Sequence, residues 1–282
     1  MASYEKNRSK FKVSKLIIYI VLIIFAVIYL YPLFWLIVAS FKTNNEIFLS
    51  AFGFPAELQW VNFEKAWNAG HIGQYFLNSV IVVGTTLIVS LLINCMAAYA
   101  IARMKWKLSG ATMGLFLSGM MVPIHASLIP LFVWFSNLGL IDNYLSLIIP
   151  YIVFSFGQSI YIMRGFFGSL PREMEEAAVI DGCSLWGAFW KIIIPISTGG
   201  IFTIGLFTFN GTWNELLVAK IFTNSDSVRT LPVGLTTFVG PNMTNYGPMF
   251  AAIVIAVIPT IIVYCCLSNK IVGGLTAGAV KG

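Results

Sequence analysis

Charge is scarce in this 282-residue chain: Asp, Glu, Lys and Arg supply 10% of the residues, against about 25% in an ordinary soluble domain. A surface in water needs those groups for solvation, and a packed core cannot absorb the 58% of side chains that are hydrophobic, so the composition excludes a water-soluble fold. Mean hydropathy is +0.85, which makes lipid the solvent. Histidine is nearly absent. His71 and His125 lie in different segments and leave no H-E-x-x-H or comparable constellation, which argues against a membrane-embedded enzyme. The four cysteines, Cys95, Cys183, Cys265 and Cys266, have no zinc-type spacing and read as small apolar fillers, so no metal site is expected. Also missing is any G-x-x-x-x-G-K-[ST] phosphate loop, so no cofactor is expected in this chain and any ATP and Mg belong to another subunit. No internal repeat is evident, which sets the chain apart from secondary transporters that hold both halves in one polypeptide.

What the chain does have is long apolar runs. From Leu16 to Val38 there are 23 residues without a charge, more than the roughly 30 Å of a bilayer core requires at about 1.5 Å per helical residue. That run exceeds a typical signal-peptide core and no small-residue cleavage site follows it, so it reads as a retained helix. Further runs at Tyr75–Ala102, Ser109–Phe135, Tyr144–Met163, Ile192–Val218 and Met249–Leu267 predict an all-α integral membrane protein with six transmembrane helices. The division expected is a basic N-terminus over 1–15, a six-helix domain over 16–268 and a tail over 269–282.

The net charge of +6 comes from cations gathered between the apolar runs, not from a single stripe, so it reports topology and not a nucleic-acid partner. Lys6, Arg8, Lys10, Lys12 and Lys15 precede the first helix. Arg103, Lys105 and Lys107 follow the second, Arg164, Arg172 and Lys191 flank the segment between the fourth and fifth, and Lys270 and Lys281 lie in the tail. The positive-inside rule puts all of these, and both chain ends, in the cytoplasm, leaving Lys42, Lys65, Lys220 and Arg229 outside. Trp60, Trp67, Trp134 and Trp213 near the outer segments suit an aromatic belt.

The stretch LPREMEEAAVIDGCSLWGAFWKIIIPI, Leu170 to Ile196, is too charged and too amphipathic to cross, and predicts two short helices. Pro171 suits a first turn, Glu173, Glu175 and Glu176 complement the N-terminal dipole, and Gly182 can end the helix at positive φ. Ser184 is positioned to cap the second helix, which carries Trp186, Phe189 and Trp190 along the interface until Pro195 opens the fifth span. Ala177 and Ala178 give the first helix a small-residue face suited to docking.

Glu176, Ala177, Ala178, Gly182, Ile192 and Pro195 resemble the EAA signature of permease subunits in ABC importers, with Ile194 where the pattern has Leu. YPLFWLIVASFK from Tyr31, NSVIVVGTTLIVSLLINCMAAYAIAR from Asn78, WNELLVA from Trp213, TLPVGL from Thr230 and the terminal GGLTAGAVKG are similar to the smaller permease of maltose-type transporters. The resemblance covers nearly the whole chain. It implies a bacterial-type plasma membrane, a second homologous permease, two copies of a cytoplasmic ATPase and an extracytoplasmic binding protein that delivers a sugar. It further implies that Glu176, Ala177, Ala178, Asp181, Gly182 and Pro195 couple to the ATPase, that the tail from Gly273 reaches it too, and that the outer segment from Phe222 to Pro248 touches the binding protein. A permease for amino acids or peptides would keep the EAA segment but lose the sugar-type tail and TLPVGL.

Polar groups at membrane depth need a reason, since Asp, Lys or Arg costs about 2.5–3.5 kcal/mol at the centre. His125 after Pro123 is a candidate for the translocation path or for a bond to a neighbouring helix. Asn210, Trp213, Asn214 and Glu215 combine an aromatic face with hydroxyl-matching groups, as sugar sites do, or else form an interface anchor. Asn94 is a path candidate or a bond between two helices.

Overall fold

The computed structural model describes residues 2–104, 106–240 and 244–279, and within them the side chains of residue 13 and residues 15–267. Lys105, Lys281 and the last three residues of the tail lie outside the described residues. The long apolar runs form helices because lipid offers their backbone N–H and C=O groups no alternative partner. The helices are α1 (Ala2–Ser40), α2 (Asn44–Leu49), α3 (Val61–Glu64), α4 (Ile72–Arg103), α5 (Ser109–Met120), α6 (Leu128–Asn137) and α7 (Leu145–Ser169). They continue with α8 (Glu173–Ile180), α9 (Leu185–Ala188), α10 (Ile194–Ile196), α11 (Thr198–Trp213), α12 (Leu217–Phe222), α13 (Leu231–Leu235) and α14 (Tyr246–Ala279). The only extended pairing among the described residues is the isolated bridge between Val239 and Thr244.

Four stretches are each long and apolar enough to cross a bilayer: Lys15–Ser40, Ile72–Arg103, Leu145–Ser169 and Tyr246–Leu267. The third and fifth expected spans are not straight helices. Ser109–Met120 and Ile124–Asn137 meet at 83°, and Leu185–Ile196 and Thr198–Trp213 meet at 77°, so the count reaches six only if each bent pair is one span. Pro123 explains the first break, because it donates no backbone hydrogen bond and keeps Val122 out of the helical region. The second falls at Ser197, two residues after Pro195. Pro195 therefore sits inside the last turn before the bend and does not open the fifth span, and the Gly199-Gly200 pair beyond it lowers the cost of breaking there. α14 continues past the expected end of its span to Ala279.

The chain divides into two compact units. In the first, Met1–Gly70 with Phe238–Ile255, Thr43 and Glu46 form a reciprocal capping box on α2. The Lys42 ammonium, 1% exposed, donates to the carbonyls of Ser50 (2.7 Å) and Ala51 (3.3 Å) at the other end of that helix. Asn62 Nδ2 donates to the carbonyls of Ser40 and Lys42, both at 2.9 Å, and Trp35 packs edge-on against Phe250.

The second unit, His71–Thr237 with Ala256–Gly282, is built on the pairing of α4 with α7, to which α5 and α11 are added. One core cluster joins Tyr99, Met163, Phe167, Phe189, Ile193 and Ile204, and a second joins Val82, Phe135, Leu147, Tyr151, Val218 and Phe222. Residues 224–231 are strapped to this pair. Tyr75 Oη donates to Asp226 (2.8 Å), Asn78 Nδ2 donates to the Arg229 carbonyl (2.8 Å), and Tyr144 Oη donates to Asn78 Oδ1 (2.8 Å). The Leu231 amide, opening α13, donates to Ser79 Oγ at 2.8 Å. Asp142 Oδ1 accepts from the amides of Asn224 (2.7 Å) and Ser225 (2.8 Å).

Candidate functional site

The segment after α7 forms two short helices. α8 carries Glu173, Glu175 and Glu176 in its first turn, where three carboxylates complement the partial positive charge of unpaired amides. Pro171 lies just ahead of it instead of inside its first turn, and Arg172 takes the N-cap position. Gly182 stands at φ +84° and ends the turn, and Ser184 Oγ accepts from the Gly187 amide (3.1 Å) to cap α9. From α9 through α10 the backbone stays helical, wound wider over Phe189–Ile193. Phe189 and Ile193 are buried in the core, while Trp186 and Trp190 remain exposed.

α8 presents Glu176, Ala177, Ile180 and then Asp181 and Gly182 outward, with Ile180 84% exposed. Ala178 is 5% exposed and turned into the protein, which corrects the expected two-alanine face: one full helical turn cannot direct consecutive side chains the same way. Pro195 is exposed.

What holds α8 is Arg103, the last residue of α4. Its side chain is 4% exposed, and Nε donates to Glu175 Oε1 at 3.1 Å. Nη1 donates to the carbonyls of Phe167 (3.3 Å) and Leu170 (2.9 Å), and Nη2 to that of Pro171 (3.2 Å). These acceptors lie in the last turn of α7, the linker after it and the first turn of α8, so one guanidinium joins three elements to α4. One helical turn earlier, Tyr99 packs against Phe167 (centroids 6.1 Å apart) and Phe189 (5.0 Å). From sequence, Arg103 reads only as a topological charge. Its position directly before a break, with acidic residues ahead in the following segment, was the available signal.

A second feature is a cavity of about 200 Å³ between α7 and α11, with Ile124 at its edge. Its polar lining is Tyr151, Ser155, Gln158 and Ser159 from α7, Thr208 and Thr212 from α11, and Glu215. Glu215 accepts three hydrogen bonds: from Tyr151 Oη (2.7 Å), the Val218 amide (2.9 Å) and the Ala219 amide (3.1 Å). It therefore caps α12 and is not a freely solvated anchor.

The other expected path residues are dispersed. Asn94 is fully buried in α4 and donates to Ser155 Oγ at 3.1 Å, so it stands behind the cavity wall as a bond between two helices. His125 is exposed in the tight turn Ile124–Ser127 between the two halves of the broken third span. Asn210 and Asn214 are exposed and bonded to each other (3.1 Å). At about 100° per residue Asn210 lies nearly opposite Thr208, away from the cavity. Trp213 is 4% exposed, stacked on Phe209 with centroids 5.6 Å apart and bonded to the Ala256 carbonyl (3.1 Å), so its face is already covered and offers no platform to a sugar ring. Nor does it join Trp60, Trp67 and Trp134 as an exposed belt residue. The cavity residues of α7 were missed although Tyr151, Ser155, Gln158 and Ser159 follow helical spacing in an otherwise apolar run, which is the signal that marks them.

Among the described residues no cluster of three or more His, Cys, Asp or Glu side chains is placed to hold a metal.

Residues 90–269 match the family described as binding-protein-dependent transport system inner membrane component. The chain belongs to this family. It is 35% identical over 278 residues to the probable ABC transporter permease protein YurM of Bacillus subtilis, covering 99% of this chain and 92% of that one. It is 34% identical over 262 residues to the diacetylchitobiose uptake system permease protein NgcG of Streptomyces coelicolor, covering 92% and 87%. With the trehalose/maltose transport system permease protein MalG of Thermococcus litoralis it shares 32% over 273 residues, covering 95% and 98%. Among solved structures, a chain of a bacterial ABC transporter involved in import of the acidic polysaccharide alginate superposes with a TM-score of 0.78 at 22% identity, covering 92% of this chain and 96% of that one, a likeness of fold.

Proposed function

We propose that this inner-membrane component is one permease half of an ATP-driven importer that passes a sugar, most simply an oligosaccharide, delivered by an external binding protein. It pairs with a second, homologous permease and rests on two copies of an ATPase, which supply the ATP and Mg chemistry. Residues 170–196 face the cytoplasm, as do both chain ends. Glu176, Ala177, Asp181 and Gly182 form the edge that seats in the ATPase, Ala178 backs that edge, and Pro195 stiffens the turn before the bend at Ser197.

The observation that carries this reading is the outward edge of α8, a short helix stopped by a left-handed glycine and fastened by its inner side to the ends of α4 and α7. Such a helix can receive a push and pass it to two membrane helices. Sugar as the cargo is supported by relatives named for diacetylchitobiose and for trehalose and maltose. The cavity agrees, because hydroxyls, an amide and a carboxylate beside apolar walls match the alternating faces of a pyranose.

The test is disulfide crosslinking in intact cells. Ala177→Cys is expected to join a cysteine in the docking cleft of the ATPase subunit and to resist membrane-impermeant thiol reagents added from outside. Labelling from outside, or no adduct with any ATP-hydrolysing subunit, sinks the proposal.

A further inference from the structure

We propose that Arg103 is a positioning residue that makes α8 move as one body with the ends of α4 and α7. This rests on the reading of 170–196 as the ATPase-docking segment. A helix of eight residues is too short to hold itself together in water, so tertiary fastening decides where it stands. α8 has little such fastening. Glu173, Met174, Glu176, Ala177, Val179 and Ile180 are all exposed, which leaves Ala178 and the Glu175 carboxylate as its inner face.

The guanidinium that meets Glu175 is almost fully withdrawn from water, an expensive arrangement unless its donors are used. Four hydrogen bonds leave it, and they reach α7, the linker and α8. A second tie runs through Tyr99 of α4, which faces the Glu175 carboxylate and packs on Phe189, but it offers one hydroxyl where the guanidinium makes four hydrogen bonds to three elements. The covalent route from α7 is only the linker from Leu170 to Arg172, two of whose carbonyls Arg103 itself holds. Lysine cannot substitute, since a compact ammonium on a flexible stem cannot address acceptors spread around a planar fork.

The experiment uses the assembled transporter, permease pair with ATPase, in lipid nanodiscs, with ATP as the only ligand added. Spin labels at Met96→Cys on α4 and Ile180→Cys on α8, both exposed positions, report the distance between the two helices. With Arg103 intact, one narrow distance distribution is expected, unaltered by ATP. Arg103→Lys is expected to lose that single distribution, most visibly on adding ATP, while the complex keeps its subunit ratio and its rate of ATP hydrolysis. A merely structural role would instead lower assembly. Glu175→Gln, which removes one charge and leaves the three carbonyl bonds, is expected to lose it in part, and the double variant is expected to be no worse than Arg103→Lys alone.

A narrow, ATP-independent distribution in assembled Arg103→Lys overturns the proposal. If that variant fails to assemble, an unaltered distribution in Glu175→Gln overturns it instead. Failure of the Ala177→Cys crosslink removes the functional reading and this proposal with it, whereas a positive crosslink with an unaltered distribution removes the role of Arg103 alone.

Discussion

Gly234 in α13 has no room for a side chain: a Cβ there would lie 2.0 Å from Tyr75 Cδ2. The Tyr75 ring is 2% exposed and its hydroxyl is bonded to Asp226, so it cannot swing aside. Gly234→Ala is expected to cost about 1–3 kcal/mol, the usual penalty of overpacking, read as a lower midpoint of thermal unfolding in detergent; an unchanged midpoint means that the ring yields. Asp142 shows a different single-residue device. Burial alone pushes its pKa up, but the amides of Ser225 and Asn224 outweigh that and hold it below its ordinary value of 3.8. A carboxyl whose folded pKa is depressed contributes its full stability above the unfolded value, and loses it as pH falls through the folded one. The strap over 224–231 is therefore expected to loosen in acid. Asp142→Asn, which tolerates the left-handed φ of +61° and keeps an acceptor oxygen, should narrow the difference in unfolding midpoint between about pH 7 and pH 3. An undiminished difference assigns the acid sensitivity to other groups.

At the scale of elements, α8 offers a clean separation of strain from docking. Among the described residues nothing beyond its two chain neighbours lies within 4 Å of a Cβ built at Gly182, so alanine and leucine there meet the same backbone penalty, about 1–2 kcal/mol for holding an L-residue in the left-handed region. The excess loss of Gly182→Leu over Gly182→Ala, measured as ATPase retained on the purified permease pair, then reports what the partner places against that position. Equal losses would leave Gly182 as a local stop and nothing more. Gly182 and Ser184 were legible from sequence because helix ends obey local rules of φ and hydrogen bonding, and both act as those rules require. The bends at Val122–Pro123 and at Ser197 were not read, because a run of apolar residues records solvent preference and not direction. Two consecutive alanines likewise said nothing of which one faces out, since packing decides that.

At the scale of the whole molecule, the class was plain in the scarcity of charge, and the family in the spacing of Glu176, Ala177, Ala178, Gly182 and Pro195, because both are properties of the chain read in order. The cavity was not, because it depends on which sides of α7 and α11 meet: of the residues singled out by polarity alone, Asn94 stands behind its wall, donating to Ser155 with Oδ1 left unpartnered, and Asn210, Trp213 and Asn214 are bonded away from it. Only Glu215 belongs to both sets. Among the described residues its carboxyl group is the one acidic side chain in the lining, with no lysine or arginine beside it there. In the proposed path an acidic saccharide would meet a like-signed carboxyl group, whereas an uncharged one would meet hydroxyls and an amide that its own hydroxyls can match. On the proposed reading of this cavity as part of the sugar path, that lone carboxylate favours neutral cargo, a sieve for electrical sign that acts before shape is consulted.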